Sequence, residues 1–283
     1  MTTGFLCTMI KLSVIIISGL ATWFFSSCSS QPYKNSNKAY KKQSKAFAKI
    51  LSGIPIDSIV SDSSKLPVSW IGTTNFSMRK PNYVIIHHTA QSSCEQTLKT
   101  FTNKLTEVSA HYIICKDGTL HHMLNDYLRA WHAGIAKWGN ETDINSGSIG
   151  IEIDNNGTDS FSEAQLNTLE GLLATLKKSY KIPAANFIGH GDIAPGRKID
   201  PNVNFPWERF AKKGFGMWYD DTTNVIVPEN FNQLLALRII GYDVTNINAT
   251  VQAFRRHFLK TEKTGELTEP EKKILYLLMQ KYM

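Results

Sequence analysis

The stretch YVIIHHTAQSSC, residues 83–94, places two adjacent histidines directly after a short apolar run. Apolar, β-rich runs of this length favour a strand that is covered on both faces of a sheet. Such strands deliver chemistry at their carboxyl ends. His87 and His88 are therefore candidate metal ligands, although imidazoles at strand ends also bridge polar groups without any catalytic role. The stretch alone leaves both interpretations open.

A second stretch, NFIGHGDIAPGRKIDPNVNFPW at residues 186–207, repeats the pattern of a histidine after a short apolar strand. A loop rich in proline and glycine leads from His190 to Asp200. Two histidines and one carboxylate can supply three zinc ligands and leave a fourth position open, which is the composition of a catalytic site. The alternative is that Asp200 caps a turn before Pro201 and that His190 is incidental. The two stretches together favour the metal site.

The chain between and around these stretches alternates helix and strand patterns. Residues 94–105 predict a helix, residues 109–124 predict a hairpin around Asp117-Gly118, and residues 149–153 predict a strand. Apolar residues at steps of three and four from Leu166 to Tyr180 predict an amphipathic helix, with a capping box at Ser162–Gln165 or at Ser160–Glu163. The predicted fold class is α/β, with a central mixed sheet flanked by helices.

Three further helical segments follow a break between Trp218 and Pro228. They cover FNQLLALRIIGYDV, ATVQAFRRHFL and EPEKKILYLLMQKYM, and they are separated by Gly241 and a GELT turn. We expect a catalytic domain over residues 70–217 and a small all-α domain over residues 228–283.

The first 28 residues have the pattern of a secretory signal, because Lys11 precedes an apolar run from Leu12 to Phe25 that is short for a membrane span. The run ends on Phe25-Ser26-Ser27-Cys28, which resembles a bacterial lipobox although Phe25 stands where leucine is usual. We expect Cys28 to be lipidated and to become the mature amino terminus. Ordinary cleavage and an uncleaved anchor are the alternatives. Ser29 after the cysteine favours the outer membrane.

The excess positive charge lies in the segment that follows the leader. The net charge is +7, and residues 29–56 carry six lysines and no acid, whereas 24 basic and 24 acidic side chains cancel from Asp57 onward. This argues against a nucleic-acid-binding domain, which carries its basic patch on the fold. Residues 29–69 read as a polar, lysine-rich tether with one short helix near Lys41–Ile50. The tether either lies near an anionic surface or is merely soluble.

Two cysteines, Cys94 and Cys115, remain outside the leader. In an oxidising compartment they could pair, and two buried free thiols are the alternative.

Five motifs in this order carry a resemblance to a known family: HHTA, SAHY, AWHAG, GIEI and GHGDIAPGRKIDP. Together they resemble the zinc-dependent N-acetylmuramoyl-L-alanine amidases of the amidase-2 class, relatives of the peptidoglycan recognition proteins, and among them the lipoprotein amidases of the AmiD type. The resemblance covers about residues 70–215, and its last motif is the most specific. The helices at residues 228–283 resemble the small peptidoglycan-binding module of such enzymes, and a helical lid that only packs on the catalytic domain is the alternative.

The resemblance implies one Zn²⁺ per chain, bound by His87, His190 and Asp200. It implies that Glu152 is the catalytic carboxylate, which moves a proton from water to the leaving amine, and that Lys198 stabilises the oxyanion. His132 is expected on the substrate side of the site, and Trp131 either lines the substrate groove or belongs to the core. His88 is expected to point elsewhere, because neighbours on a strand face opposite sides. His111 is expected to be structural.

The activity implied is hydrolysis of the amide between N-acetylmuramic acid, or its anhydro form, and L-alanine in peptidoglycan. The expected partners are peptidoglycan or muropeptides and a membrane reached through the lipid anchor, with the protein periplasmic and monomeric and with no nucleic acid. A non-catalytic peptidoglycan receptor and a cytoplasmic muropeptide-recycling amidase are the alternatives. The presence of all three ligands, the glutamate and the lysine argues against the receptor, and the leader argues against the cytoplasmic enzyme.

Overall fold

The structure is a computed structural model that describes residues 32–53 and 71–283. The chain divides into two compact units, Met1–Lys65 and Leu66–Met283. The first unit contributes helix α1, Lys34–Leu51, which is longer than the predicted helix near Lys41–Ile50. The predicted leader and the lipidation site at Cys28 lie outside the described residues. Within the described ranges, no helix combines the length and apolar character that a membrane span requires.

The second unit is built on a five-stranded mixed sheet with the order β3-β2-β4-β1-β5. The strands are β1 (Tyr83–His88), β2 (Tyr112–Ile114), β3 (Leu120–His122), β4 (Ser148–Ile153) and β5 (Phe187–Gly189). β2 and β3 form the predicted antiparallel hairpin, and the pairs β2–β4, β4–β1 and β1–β5 are parallel. The predicted fold class is confirmed.

Alternation along β1 separates its side chains between the two faces of the sheet. Val84 and Ile86 belong to a core shared with helix α4, Glu163–Tyr180, whereas Ile85 belongs to a core on the opposite face. Because successive strand residues point to opposite faces, His87 points to the same face as Ile85, and His88 points to the same face as Ile86. The two adjacent histidines therefore face different surroundings.

Two helices flank the sheet where the sequence predicts them. α2, Cys94–Thr102, begins after Ser93, whose hydroxyl accepts the Gln96 amide proton. α4 begins with the capping box formed by Ser162 and Gln165. The helix is amphipathic because Leu166, Leu169, Leu173 and Leu176 are all buried against the sheet. Short helices α3 (Ile144–Gly147), α5 (His190–Ile193) and α6 (Trp207–Ala211) lie in the connections.

Cys94 and Cys115 form a disulfide with a Cα–Cα distance of 5.3 Å. It joins the first residue of α2 to the residue that follows β2. Of the two alternatives that the sequence allows, a disulfide and two free thiols, the structure has the disulfide.

The three predicted carboxyl-terminal helices are α7 (Gln233–Ile240), α8 (Ile247–Leu259) and α9 (Glu269–Tyr282). Their apolar residues Leu237, Phe254 and Leu275 share one core with Ile85 and Ile188 of the sheet. The second unit accordingly spans the sheet and these helices together. The predicted boundaries of a separate domain at residues 228–283 stay a prediction.

Candidate metal centre

Three parallel strands bring the predicted site residues to one edge of the sheet. His87 on β1 lies opposite Glu152 on β4 in the parallel register, close to the carboxyl end of both strands. β5 ends at Gly189, so His190 is the first residue of α5 rather than the last residue of a strand. The loop after α5 returns Asp200 to the same edge, where the Asp200 carbonyl accepts the Gly191 amide proton at 2.7 Å.

The side chains of His87, His190 and Asp200 converge on one point and form a cluster. His87 Nδ1 lies 2.9 Å from His190 Nδ1, and each of these atoms lies 3.0 Å from Asp200 Oδ2. The two imidazoles are almost completely buried, and Asp200 is buried as well. Nitrogen and oxygen ligands at 2.0–2.1 Å from a tetrahedral ion are separated by about 3.3 Å. The three atoms are therefore spaced like one face of a tetrahedral site.

The outer nitrogens of the two rings show which tautomers are present. His190 Nε2 lies 3.0 Å from the Ala133 carbonyl oxygen, which can only accept, so we assign the proton to this nitrogen. Arg197 Nη2 lies 3.3 Å from the same nitrogen, but its shorter contact, at 2.5 Å, is its donation to the Ala133 carbonyl. Ser148 Oγ donates to the Ile144 carbonyl at 2.6 Å, so its contact with His132 Nε2 at 3.1 Å must have the ring as donor. His132 Nδ1 is then the acceptor for His87 Nε2–H at 3.0 Å.

Both Nδ1 atoms in the cluster consequently present lone pairs, beside a carboxylate oxygen. Three such acceptors within 3.0 Å, with no proton to share, repel one another unless a cation lies between them. The donor set of two neutral imidazoles and one carboxylate is the set that zinc accepts. The side chains of His87, His190 and Asp200 thus fit a zinc ion.

Burial controls the charge of the groups around the cluster. Burial, followed by the neighbouring His190 ring, lowers the pKa of His87 to about 4, which keeps this ring neutral. Burial, followed by the charge of Asp200, raises the pKa of Glu152 to about 8, and Lys198 opposes that rise. Within the part of the chain that the structure describes, Glu152 Oε2 is buried without a hydrogen-bond partner. This carboxyl is the kind of group that can exchange protons near neutral pH.

Lys198 lies close enough to the site for its charge to act on both Glu152 and His87. Its backbone amide donates to the Ala194 carbonyl at 3.0 Å, which fixes the chain two residues before Asp200. The structure therefore brings Lys198 to the predicted cluster together with Glu152.

His88 and His111 are both turned away from the cluster. His88 Nδ1 accepts the Asn202 amide proton at 3.1 Å on the opposite face of the sheet. His111 is fully buried, with Nε2 donating to the Leu128 carbonyl and Nδ1 accepting the Gly150 amide proton. Their contacts are those of structural residues.

His132 occupies a place that the sequence does not predict. It is buried behind the ring of His87, on the side away from the ligand atoms, and it contacts His87 edge to face at 5.1 Å. A position behind a ligand suits a residue that orients that ligand, and direct contact with substrate stays a prediction. Trp131, its neighbour, is 52% exposed and is not a core residue.

Several residues that support the site carry little sequence signal. Asn145 Oδ1 accepts the backbone amide protons of His132 and Ala133, at 3.1 and 2.9 Å, and so holds that loop. Gly150 is required because a Cβ atom there would lie 2.4 Å from Cγ of His132. A glycine inside a strand signals such a close approach, so this one residue could have been found from the sequence. The roles of Ser148 and Asn145 could not have been predicted from the sequence.

Comparisons with known proteins identify a family and several relatives of this chain. Residues 77–203 match the family model described as N-acetylmuramoyl-L-alanine amidase. The chain is 32% identical over 230 residues to N-acetylmuramoyl-L-alanine amidase AmiD of Escherichia coli, an alignment that covers 70% of this chain and 82% of the relative. It is 40% identical over 104 residues to 1,6-anhydro-N-acetylmuramyl-L-alanine amidase AmpD of Haemophilus influenzae, which covers 36% of this chain and 56% of that relative.

Solved structures show the same architecture. E. coli AmiD in complex with the substrate anhydro-N-acetylmuramic acid-L-Ala-D-gamma-Glu-L-Lys superposes with a TM-score of 0.66 at 28% identity, covering 78% of this chain and 97% of that chain. AmpDh3 of Pseudomonas aeruginosa superposes with a TM-score of 0.65 at 29% identity, covering 77% and 99%. With the family match over residues 77–203 and the similarity to AmiD over 70% of this chain and 82% of that relative, the chain belongs to the N-acetylmuramoyl-L-alanine amidase family of the amidase-2 class.

Proposed function

We propose that this protein hydrolyses the amide between the lactyl group of N-acetylmuramic acid, or its anhydro form, and L-alanine in peptidoglycan, as a zinc enzyme. The observation that carries the proposal is the convergence of His87, His190 and Asp200 as three unprotonated donors beside the buried carboxyl of Glu152. The AmiD relative named above supports the substrate class, because it is similar over most of both chains.

Each residue of the site has its own role in the hydrolysis. Zinc held by His87, His190 and Asp200 would supply a Lewis acid that activates water. Glu152 takes a proton from the attacking water and passes it to the amide nitrogen as the C–N bond breaks, so that L-alanine leaves as an amine. Lys198 places positive charge where the carbonyl oxygen becomes negative. The products are a lactyl carboxylate and a free stem peptide.

The location of the enzyme in the cell is the second part of the proposal. We propose that Cys28 is lipidated and holds the enzyme at the outer membrane, facing the periplasm as a monomer, with peptidoglycan or muropeptides as its substrate. The similarity to AmiD extends over 70% of this chain, whereas the similarity to the AmpD relative extends over 36%, which favours the AmiD-like envelope enzyme over a recycling amidase. Mass spectrometry of the mature amino terminus measures the modification.

The experiment is turnover of a purified muropeptide by the purified full chain, followed by chromatography of the products. We expect release of the stem peptide, its loss with a chelator and its return with added zinc. His190→Ala should lose zinc and turnover together. Glu152→Gln and Lys198→Ala should retain zinc but lose turnover by about 10²-fold or more, since they act on protons and charge.

Two results would contradict the proposal, and a third would contradict the role of Glu152. Full activity of a zinc-free His190→Ala protein would remove the metal from the mechanism. Binding of the muropeptide without any cleavage, with zinc in place, would identify a peptidoglycan receptor instead of a hydrolase. If Glu152→Gln lost zinc, Glu152 would be a ligand rather than a proton carrier.

A further inference from the structure

Helix α1 separates its lysines from its large apolar side chains almost completely. At about 100° per residue, Tyr40, Phe47 and Leu51, with Tyr33 at the helix start, fall within an arc of about 40°. The lysines fall within an arc of about 100° on the far side, and they are Lys34, Lys38, Lys41, Lys42, Lys45 and Lys49. The helix therefore has one cationic face and one narrow apolar face.

The apolar face of α1 is exposed. No residue of α1 is buried, and Tyr40, Phe47 and Leu51 are 37%, 41% and 78% exposed. Isolated aromatic and aliphatic side chains are common on surfaces, but a continuous stripe along a helix indicates a missing apolar contact. The stripe is flanked by Ser and Gln side chains, so it suits shallow contact with an interface rather than burial in a core.

The lysine side chains of α1 also repel one another in water. Lys34, Lys38 and Lys42 follow one another at steps of four, as do Lys41, Lys45 and Lys49, and like charges at this spacing destabilise a helix. No acidic side chain between residues 29 and 56 compensates them. Most of the stability of a helix in a protein comes from packing of its amphipathic face, and no residue of α1 is buried. A negatively charged surface would remove the repulsion and stabilise the helix.

We propose that α1 lies flat on the surface of a membrane that contains anionic phospholipid. Its apolar stripe enters the boundary between headgroups and acyl chains, and its lysines remain within the negative surface potential of the anionic lipids. The inference rests on α1 alone and not on the proposed activity.

An anionic membrane fits both faces of α1, and peptidoglycan fits only one. The carboxylates of stem peptides can pair with lysines, but a hydrated polysaccharide mesh offers no apolar layer for Phe47 and Leu51. A bilayer surface offers phosphates and an apolar boundary a few ångströms apart. The membrane is therefore the partner that uses the whole helix.

The test is hydrogen exchange of residues 34–51 in the full-length protein bound to vesicles. One set of vesicles contains phosphatidylcholine alone, and the other contains equal parts phosphatidylcholine and phosphatidylglycerol. We expect exchange in α1 to slow by about tenfold or more on the anionic vesicles relative to the neutral ones. The double substitution Phe47→Ser with Leu51→Ser should abolish the slowing, and Lys42→Gln with Lys49→Gln should reduce it.

Matched controls separate the membrane contact from other effects. Ala46→Ser changes neither the apolar stripe nor the lysine face and should leave the slowing intact. Exchange over residues 71–283 should be the same for all variants. Equal exchange on both kinds of vesicle, or slowing on isolated peptidoglycan sacculi but not on anionic vesicles, would overturn the proposal.

Discussion

The proton on His87 is placed by a chain of three groups that lead away from the metal centre. Ser148 donates to the Ile144 carbonyl, His132 donates to Ser148, and His87 donates to His132. Because each step fixes the next, the lone pair of His87 Nδ1 must face the ligand cluster. Partners of this kind orient a ligating imidazole and raise its basicity. His132 and Ser148 are in this sense positioning residues.

Ser148→Ala should weaken zinc binding without unfolding the protein. The substitution leaves His132 Nε2–H without its acceptor, so His132 no longer holds one tautomer and His87 loses its fixed orientation. We expect the zinc dissociation constant, measured by competition with a chelating dye, to rise by about 10-fold. Ser146→Ala is the matched control, because Ser146 is exposed and its hydroxyl donates to Asp143. An unchanged dissociation constant in Ser148→Ala would show that the chain of hydrogen bonds does not control His87.

At the scale of single residues, the sequence predicts ligands better than it predicts their support. His87, His190 and Asp200 could be proposed because two histidines after strands and one loop carboxylate together make up a zinc ligand set. Ser148 and Asn145 could not, because a serine or asparagine gains its role only from what the fold places beside it. His132 shows the limit most clearly. Its motif marks the site, but only the structure shows that it lies behind a ligand.

At the scale of elements, hydrophobic periodicity was sufficient to find most helices and strands. The steps of three and four in α4 and the Asp117-Gly118 turn of the hairpin are both confirmed. The exception is His190, which opens a helical turn instead of ending a strand. Asp192 explains the difference, because its carboxylate accepts the Gly189 amide proton at 3.0 Å and caps the turn. A four-residue helix is too short to show a period.

An ion pair between the buried Arg255 on α8 and the partly buried Glu271 at the start of α9 predicts a dependence of stability on pH. Arg255, on α8, donates from Nε and Nη2 to Glu271 at 2.8 and 2.9 Å, and Glu271 also accepts the Thr268 amide proton at 2.7 Å. The hydrogen bond with Arg255 is the main cause that lowers the pKa of Glu271 from 4.5 to about 2. A lowered carboxyl pKa stabilises the folded state above the unfolded pKa, and that contribution disappears as the pH falls through the folded pKa.

Glu271→Gln should therefore destabilise the protein at neutral pH by about 1–3 kcal/mol. The difference from the unsubstituted protein should shrink between the unfolded pKa of 4.5 and the folded pKa of about 2, because the unsubstituted carboxyl becomes protonated there. Urea unfolding at a series of pH values measures both effects. Glu269→Gln is the control, since its pair with Lys272 is exposed and contributes little. A constant difference at all pH values would contradict the assignment.

At the scale of the whole molecule, the carboxyl-terminal helices are tied to the metal centre by polar contacts as well as by a shared core. Asp192, two residues after His190, is buried and accepts from Tyr242 at 2.7 Å and from His257 at 2.7 Å. The ring of His257 stacks on Trp207 at 4.0 Å. The sequence shows three amphipathic helices, but it cannot show that their polar residues close on α5.

Tyr242→Phe in the full-length protein should affect stability and zinc binding together. The substitution removes one donor from a buried carboxylate, which costs about 1–3 kcal/mol, and it loosens the turn that carries His190. We expect thermal unfolding to remain a single transition with a midpoint lower by about 2–8 °C, and the zinc dissociation constant to rise several-fold. Tyr127→Phe is the control, because Tyr127 is 45% exposed. Two separate transitions, with only the helical one shifted and zinc binding unchanged, would show that the helices form an independent domain. A single transition, with its midpoint and the zinc dissociation constant shifted together, would mean that the helices at residues 228–283 and the cluster of His87, His190 and Asp200 unfold as one unit.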